Sequence, residues 1–201
     1  PKDFKEDTLK AVDRLSKVTK QIHMPLQSGS NKILRKMQRG YTQEKYLEKL
    51  NLAKETILNV SLTTDIIVGF PGETDDDFLE TLKVIKEGQF DAVYMFKFSP
   101  RPGTKADSMK NEYVSKSIID SRFMQLKKIQ TDISHSRLQR FIGTKQYVLV
   151  EKYSKKTNDF LTGKIDGGQT THIKADNVSI GDFIEVEVIE ATPFALTAVP
   201  L

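Results

Sequence analysis

The spacing of apolar residues alternates between helical and strand periods up to about residue 140, then settles into short strands. In residues 5–16, Leu9, Val12 and Leu15 recur at helical spacing, with Asp7 and Thr8 as its caps. Lys20–Leu26 (KQIHMPL) alternates, which predicts a strand stopping at the turn Gln27-Ser28-Gly29-Ser30. Ser30 then caps a helix whose Ile33, Leu34 and Met37 share one face. Gly40 ends that piece, and after Thr42 the residues Tyr46, Leu50, Ala53 and Ile57 mark a second amphipathic helix. Thr63–Thr74 (TTDIIVGFPGET) comes next. Its run Ile66-Ile67-Val68 reads as buried strand and Gly69 with Pro71-Gly72 as a loop; Thr74 with Asp75, Asp76 and Asp77 reads as a capped helix start. That helix covers roughly 75–87, with Phe78, Leu82 and Ile85 inward, a capping box between Thr74 and Asp77, and Gly88 as its stop. Asp91–Phe98 (DAVYMFKF) is a third strand, ended by the rigid loop Ser99–Thr104. A long helix follows over about 114–141. One face carries Ile119, Phe123, Leu126, Ile129 and Ile133; the other carries Lys116, Arg122, Lys127, Lys128, Arg137 and Arg140, a solvated face or a nucleic-acid footprint.

Residues 20–140 thus form three strand–helix units, which pair in parallel with right-handed crossovers. They make a slice of a doubly wound sheet or of a β/α barrel, with a strand edge left for another segment or chain to cover. After Gly143 short strands are expected at 146–151, 160–165, 171–174 and 184–189, with 195–199 as another. Five such strands in some sixty residues suit a small OB-like barrel, a frequent nucleic-acid platform. The chain therefore reads as α/β over 1–141 and all-β over 142–201.

Composition narrows this picture. With 38% hydrophobic and 29% charged residues, the 201-residue chain fits a globular protein that resides in the cytoplasm by default, and its apolar runs are too short for a membrane span. Pro1 enters in mid-pattern, so the chain reads as a fragment. It has no cysteine, which excludes disulfides and thiolate-held metal or iron–sulfur sites built from its own residues. Net charge is +4; residues 140–201 hold 7 Lys/Arg against 8 Asp/Glu, so the basic excess lies in the front part.

The candidate chemistry sits at the carboxyl ends of strands, where ligands bind in parallel sheets. The stretch 69–74 is either a cofactor rim or a plain strand–helix connection, with Asp65 inside the strand and Glu73 in the loop. The QSGS turn offers N–H groups, two hydroxyls and an amide, suited to ribose hydroxyls or a carboxylate, and equally explained as a helix cap. His23, inside the first strand, reads as a hydrogen-bonded core residue. In the barrel Lys152, Lys155 and Lys156, with Lys164 and Lys174, form a local basic patch, and Tyr153, Phe160 and His172 can stack on bases or fill the core.

Read together, HMPLQSGSNKILRKMQRGYT, TTDIIVGFPGET and MFKFSPRPGTKA resemble the radical S-adenosylmethionine methylthiotransferases, and VLVEKYSKKTNDFLTGKI resembles their TRAM domain. The likeness is greatest to the tRNA 2-methylthioadenosine synthase branch. The resemblance implies a fold class of partial parallel β/α barrel followed by a small OB-like TRAM barrel. It implies S-adenosylmethionine as cofactor and two four-iron four-sulfur clusters in the intact enzyme, whose ligands lie before Pro1, so that none is held by this chain. The fragment is then inactive alone. The parent adds a methylthio group to N6-isopentenyladenosine beside the tRNA anticodon, taking sulfur from a donor. By the same resemblance Gln27 and Ser28 face the ribose or methionine part of the cofactor. Asp65, Ile67, Gly69 and Glu73 lie in or near the strand motif that cradles adenine, Phe96 and Ser99 at a strand end that lines it, and Arg101 in a loop toward substrate RNA. A threonylcarbamoyladenosine substrate, or a cysteine-free RNA-binding module without chemistry, are the other readings.

Overall fold

A computed structural model of the chain describes residues 4–154, 160–175 and 178–201. Helix α1 (Glu6–Arg14) leads into β1 (Gln21–His23), α2 (Asn31–Lys36), α3 (Gln43–Thr56), β2 (Ser61–Val68), α4 (Asp75–Gly88) and β3 (Ala92–Lys97). A short α5 (Lys105–Ser108) and a 3-10 turn then precede α6 (Lys116–Gln139). The strands form a parallel sheet in the order β1-β2-β3. Leu62, Ile66 and Val68 on one face of β2 are fully buried with Tyr46, Leu50, Phe78 and Ile85 from the helices, the core that Leu126 of α6 completes. The opposite face carries His23, Thr63, Asp65, Ile67, Tyr94 and Phe96. Among the described residues, β1 and β3 each have a strand partner on one side only. This is a partial β/α unit.

The caps follow the sequence in most places. Ser30, Thr42, Thr74 and Ser115 accept from backbone N–H groups at their helix starts, and Thr74 with Asp77 forms the reciprocal capping box. Two expectations need correction. The N-cap of α1 is Lys5, without a side-chain bond, because the helix begins at Glu6 and takes Asp7 and Thr8 into its first turn. The left-handed residue ending α4 is Gln89, not Gly88. Gly88 answers a different need, since a Cβ there would lie 2.3 Å from the Phe90 ring, which is fully buried.

Strands β4 (Lys145–Tyr153), β5 (Leu161–Lys164), β6 (Thr170–Ile173), β7 (Phe183–Ala191) and β8 (Leu196–Pro200) close a barrel in the order β4-β5-β6-β8-β7. The pair β6–β8 is parallel and the others antiparallel, the Greek-key order of an OB-type barrel. Val148, Val150, Ile173, Val186, Val188 and Leu196 fill it. Helix α6 serves both cores: Leu126 and Ile133 belong to the first, while Leu138 and the following Phe141 belong to the barrel.

The basic face expected on α6 is also corrected. Arg122 is buried against Glu73, and Arg137 and Arg140 both pair with buried Asp91 at the foot of β3. Asp91 further accepts from the Leu62 N–H at 2.9 Å. Half of the basic stripe thus fastens the helix to the sheet, because the buried carboxylates of Glu73 and Asp91 need cationic donors.

Candidate functional site

Beyond His23 the chain stays extended until Gln27, whose N–H donates to Asp65 at 2.8 Å and whose carbonyl accepts from Ile67 at 3.0 Å. On the other side the Phe98 N–H donates to Val68 at 2.8 Å. The three strand ends, and with them the turns 27–30, 69–74 and 99–104, therefore lie edge to edge at one end of the sheet. Gln27 adopts φ 75°, which turns the chain away from the strand and into the serine turn.

Asp77 organises the start of that rim. It accepts from Ser30 at 2.6 Å, from Lys32 at 2.7 Å and from the Thr74 N–H at 2.9 Å. Burial alone would raise its pKa, but these bonds hold it well below the usual carboxylate range. Gly29 sits so close to α4 that a Cβ would fall 2.5 Å from the Thr81 Cα. Ser28 is fully buried facing Thr81, so its hydroxyl serves this packing and not the rim.

The loop after β2 is braced in the same way. The Gly69 N–H donates to Glu73 Oε2 at 2.9 Å, and Arg122 Nη1 donates to that oxygen at 2.8 Å and to the Glu73 carbonyl at 3.1 Å. The Glu73 side chain is 1% exposed and that of Arg122 7%. Burial pushes the Glu73 carboxyl above its ordinary value despite the Gly69 N–H and Arg122. Glu73 thus shapes the loop from within. Gly69, at φ 79°, leaves no room for a side chain, since a Cβ would meet Ile119 at 2.3 Å.

What faces outward is the open side of the sheet. His23 Nδ1 lies 2.9 Å from Thr63 Oγ1 and Nε2 3.5 Å from Asp65 Oδ2, and its ring meets Tyr94 edge-on with centroids 5.7 Å apart. Ile67 is partly exposed; Tyr94 and Phe96 are each 52% exposed. His23 is therefore a partly solvated member of this face and not a core residue. Strand alternation counted back from Asp65 through the parallel register would have placed both His23 and Tyr94 there; reading each strand alone missed it. Ser99 and Arg101 are exposed in the loop beyond β3.

This donor set suits an adenosyl group: a flat aromatic ring and an aliphatic side chain for a purine, and a carboxylate for hydroxyl or cationic groups. It does not suit an iron–sulfur cluster, for which the chain has no cysteine. Among the described residues no group of His, Asp or Glu side chains is arranged to hold a metal ion.

On the barrel, Lys152, Lys164 and Lys174 are exposed, while Lys155 and Lys156 lie outside the described residues. Lys164 pairs across strands with Leu149, and Leu149 with the exposed Phe183. His172 is held by Thr162 at 3.1 Å and Phe160 is half-buried; the exposed rings are Tyr147, Tyr153, Phe183 and Phe194. Only Tyr153 among these was anticipated. Tyr147 and Phe183 were legible from the odd-even alternation of β4 and β7.

Residues 3–85 match the model of the radical SAM superfamily and residues 139–201 that of the TRAM domain. The front part of the chain is thus similar to the radical SAM superfamily and its tail to the TRAM domain. The chain is similar to proteins named tRNA-2-methylthio-N(6)-dimethylallyladenosine synthase. That of Clostridium botulinum (strain Langeland) is 41% identical over 98% of this chain and 44% of its own length. Those of Finegoldia magna and Aquifex aeolicus are 36% and 38% identical, over 98% of this chain and 42% and 44% of theirs. The chain thus spans less than half the length of these relatives. Among solved structures, coproporphyrinogen III oxidase from Escherichia coli, a radical SAM enzyme, shares the fold at TM-score 0.56 and 16% identity, over 82% of this chain and 44% of that one. No helix among the described residues is long and apolar enough to cross a membrane.

Proposed function

We propose that this chain is part of a cytoplasmic tRNA methylthiotransferase that modifies N6-isopentenyladenosine next to the anticodon. In this reading residues 1–141 supply one wall of the radical barrel and 142–201 the RNA-binding domain. The observation that carries it is the alignment of Gln27, Gly69 and Phe98 at one end of a parallel sheet, beside an open face bearing Asp65, Ile67 and Phe96. Here Phe96 and Ile67 flank the adenine of S-adenosylmethionine, Asp65 takes a hydroxyl or cationic group, and the backbone at Gln27, Gly69 and Ser99 forms the rim. Glu73 and Ser28 act through that backbone, by fixing the loop and the turn. Bound S-adenosylmethionine would supply the carbon radical and the methyl group. The clusters that cleave it and deliver sulfur need cysteines from outside this chain, so the chain alone is inactive. The 41% identity to a named synthase over nearly the whole chain supports the isopentenyl branch.

Arg101, Lys152, Lys155, Lys156, Lys164 and Lys174 are the residues proposed to meet the phosphates of the anticodon stem-loop. The test is nucleoside analysis by mass spectrometry of tRNA from cells that lack this modification and express the whole protein with its clusters. Appearance of methylthio-isopentenyladenosine is expected. Methylthiolation of threonylcarbamoyladenosine instead would move the protein to the sibling branch, and no methylthio product would leave the non-catalytic RNA-binding module.

A further inference from the structure

A cleft of about 300 Å³ runs across the open face of the sheet, from Gln21 of β1 past Thr63 of β2 to the outer edge of β3, where α6 and two turns of the barrel, 167–170 and 193–194, close it; it shares Thr63 and Tyr94 with the open face described above. It lies toward the amino ends of the strands, away from the rim above. Two glutamines line it whose amide oxygens are buried and have no hydrogen-bond partner among the described residues. Gln130 is 4% exposed; its Nε2 donates to the Phe90 carbonyl and to Ser134 Oγ, both at 2.9 Å, which fixes its Oε1 as the unpaired acceptor. Gln169 is 9% exposed, and its Nε2 reaches Ser61 Oγ. Buried acceptors without donors are costly and call for a partner that supplies N–H groups.

The rest of the wall defines that partner. Tyr94 and Phe194, both largely exposed, bring aromatic faces to the cleft, and Lys127 brings a cation. Acceptors in the depth, rings at the mouth and an ammonium beside them are the complement of a nucleotide whose base is out of its stack. A peptide strand adding to the β3 edge would use the backbone but would leave the rings and the lysine without a role.

We propose that this cleft is a nucleotide site that takes an unstacked nucleobase bearing an exocyclic amino group. Gln130 and Gln169 accept from the base, Tyr94 or Phe194 stacks on it, and Lys127 meets a phosphate. The nucleotide comes either from an RNA strand, which rests on the tRNA reading above, or from a free mononucleotide, which does not.

The test uses 2-aminopurine, whose fluorescence falls on stacking, both as the free ribonucleotide and placed at each loop position of an anticodon stem-loop RNA. Binding to the 201-residue chain is expected to quench the free nucleotide or one loop position. Phe194→Ala is expected to weaken that binding about tenfold, as loss of one stacking partner does. Gln169→Leu removes an acceptor, and UMP, which lacks the amino group, competes about fivefold less well than AMP, CMP or GMP. Phe194 is exposed enough that its variant will fold, which circular dichroism checks. Quenching of the free nucleotide without RNA binding supports the cleft, with a free mononucleotide as its occupant. RNA binding that neither variant alters, quenching of neither probe, or displacement of the nucleotide by a strand-forming peptide that binds the cleft more tightly overturns the cleft.

Discussion

Arg122→Met tests whether the loop over the strand ends is held by a buried ion pair. The substitution keeps the aliphatic stem and removes the guanidinium that faces Glu73 at 2.8 Å, leaving the carboxylate with the Gly69 N–H at 2.9 Å. Two unit charges at this kind of separation attract by about 4 kcal/mol at an effective dielectric near 20. Removing one partner of a buried pair costs about 3–5 kcal/mol. The second arm, to the 90% exposed Asp75 side chain, adds little. A loss of about 3–4 kcal/mol at neutral pH is therefore expected. The pH dependence is a sharper test. Burial, the largest influence, already raises the Glu73 pKa above 4.5, and Arg122 opposes that rise. Without Arg122 the folded-state value climbs further. A carboxyl with a raised folded pKa contributes stability that is full below its unfolded value and is lost as pH rises through the folded one. The variant is therefore closest to the parent near pH 5 and furthest from it near pH 7.5, and adding Glu73→Gln removes most of the difference between the two pH values. Urea unfolding followed by circular dichroism at both pH values gives these numbers. A loss below about 1 kcal/mol, or an equal loss at both pH values, refutes the reasoning.

Three further outcomes are expected. Gly168→Ala at φ 80° and Gly103→Ala at φ 82° should each lose about 1 kcal/mol in urea unfolding through the left-handed backbone alone, because the Cβ at 168 meets only the end of the exposed Gln21 side chain, which can move aside, and the Cβ at 103 meets nothing within 4 Å; a loss at 168 well above that at 103 would refute this. Asp77→Asn should cost about 2–3 kcal/mol at neutral pH, because a charged hub of several hydrogen bonds loses its charge. Since the Asp77 pKa is lowered in the fold, the parent keeps that advantage above the ordinary value of 3.8 and loses it as pH falls below, so the two proteins should converge in acid titration. Lys152→Ala and Lys164→Ala should each reduce the salt dependence of tRNA binding by about one counterion in a titration series, and unchanged slopes would remove those residues from the interface.

The strands and most caps were legible because they rest on local chemistry. Alternation over 184–189 located β7, and Thr74 with Asp77 fixed the start of α4. What stayed hidden depends on partners far along the chain. Nothing local distinguishes Arg122, which neutralises a carboxylate 49 residues away, from Lys128, which stays exposed. His23 looked like a core residue until parallel pairing with β2 set it beside Asp65. Gly88 carries the usual signature of a helix stop, yet the ring of Phe90 is what requires it. Gln130 and Gln169 gave no signal, since an unpaired amide exists only once its surroundings are assembled.

Because the 24 residues of α6 run unbroken from one hydrophobic centre into the other, the helix works as a strut about 36 Å long. The β-barrel has little freedom to swivel on a tether. In the proposed reading, an RNA held by the barrel sits at a preset span from the strand ends, so that fitting a target of different length falls to the target's own bending.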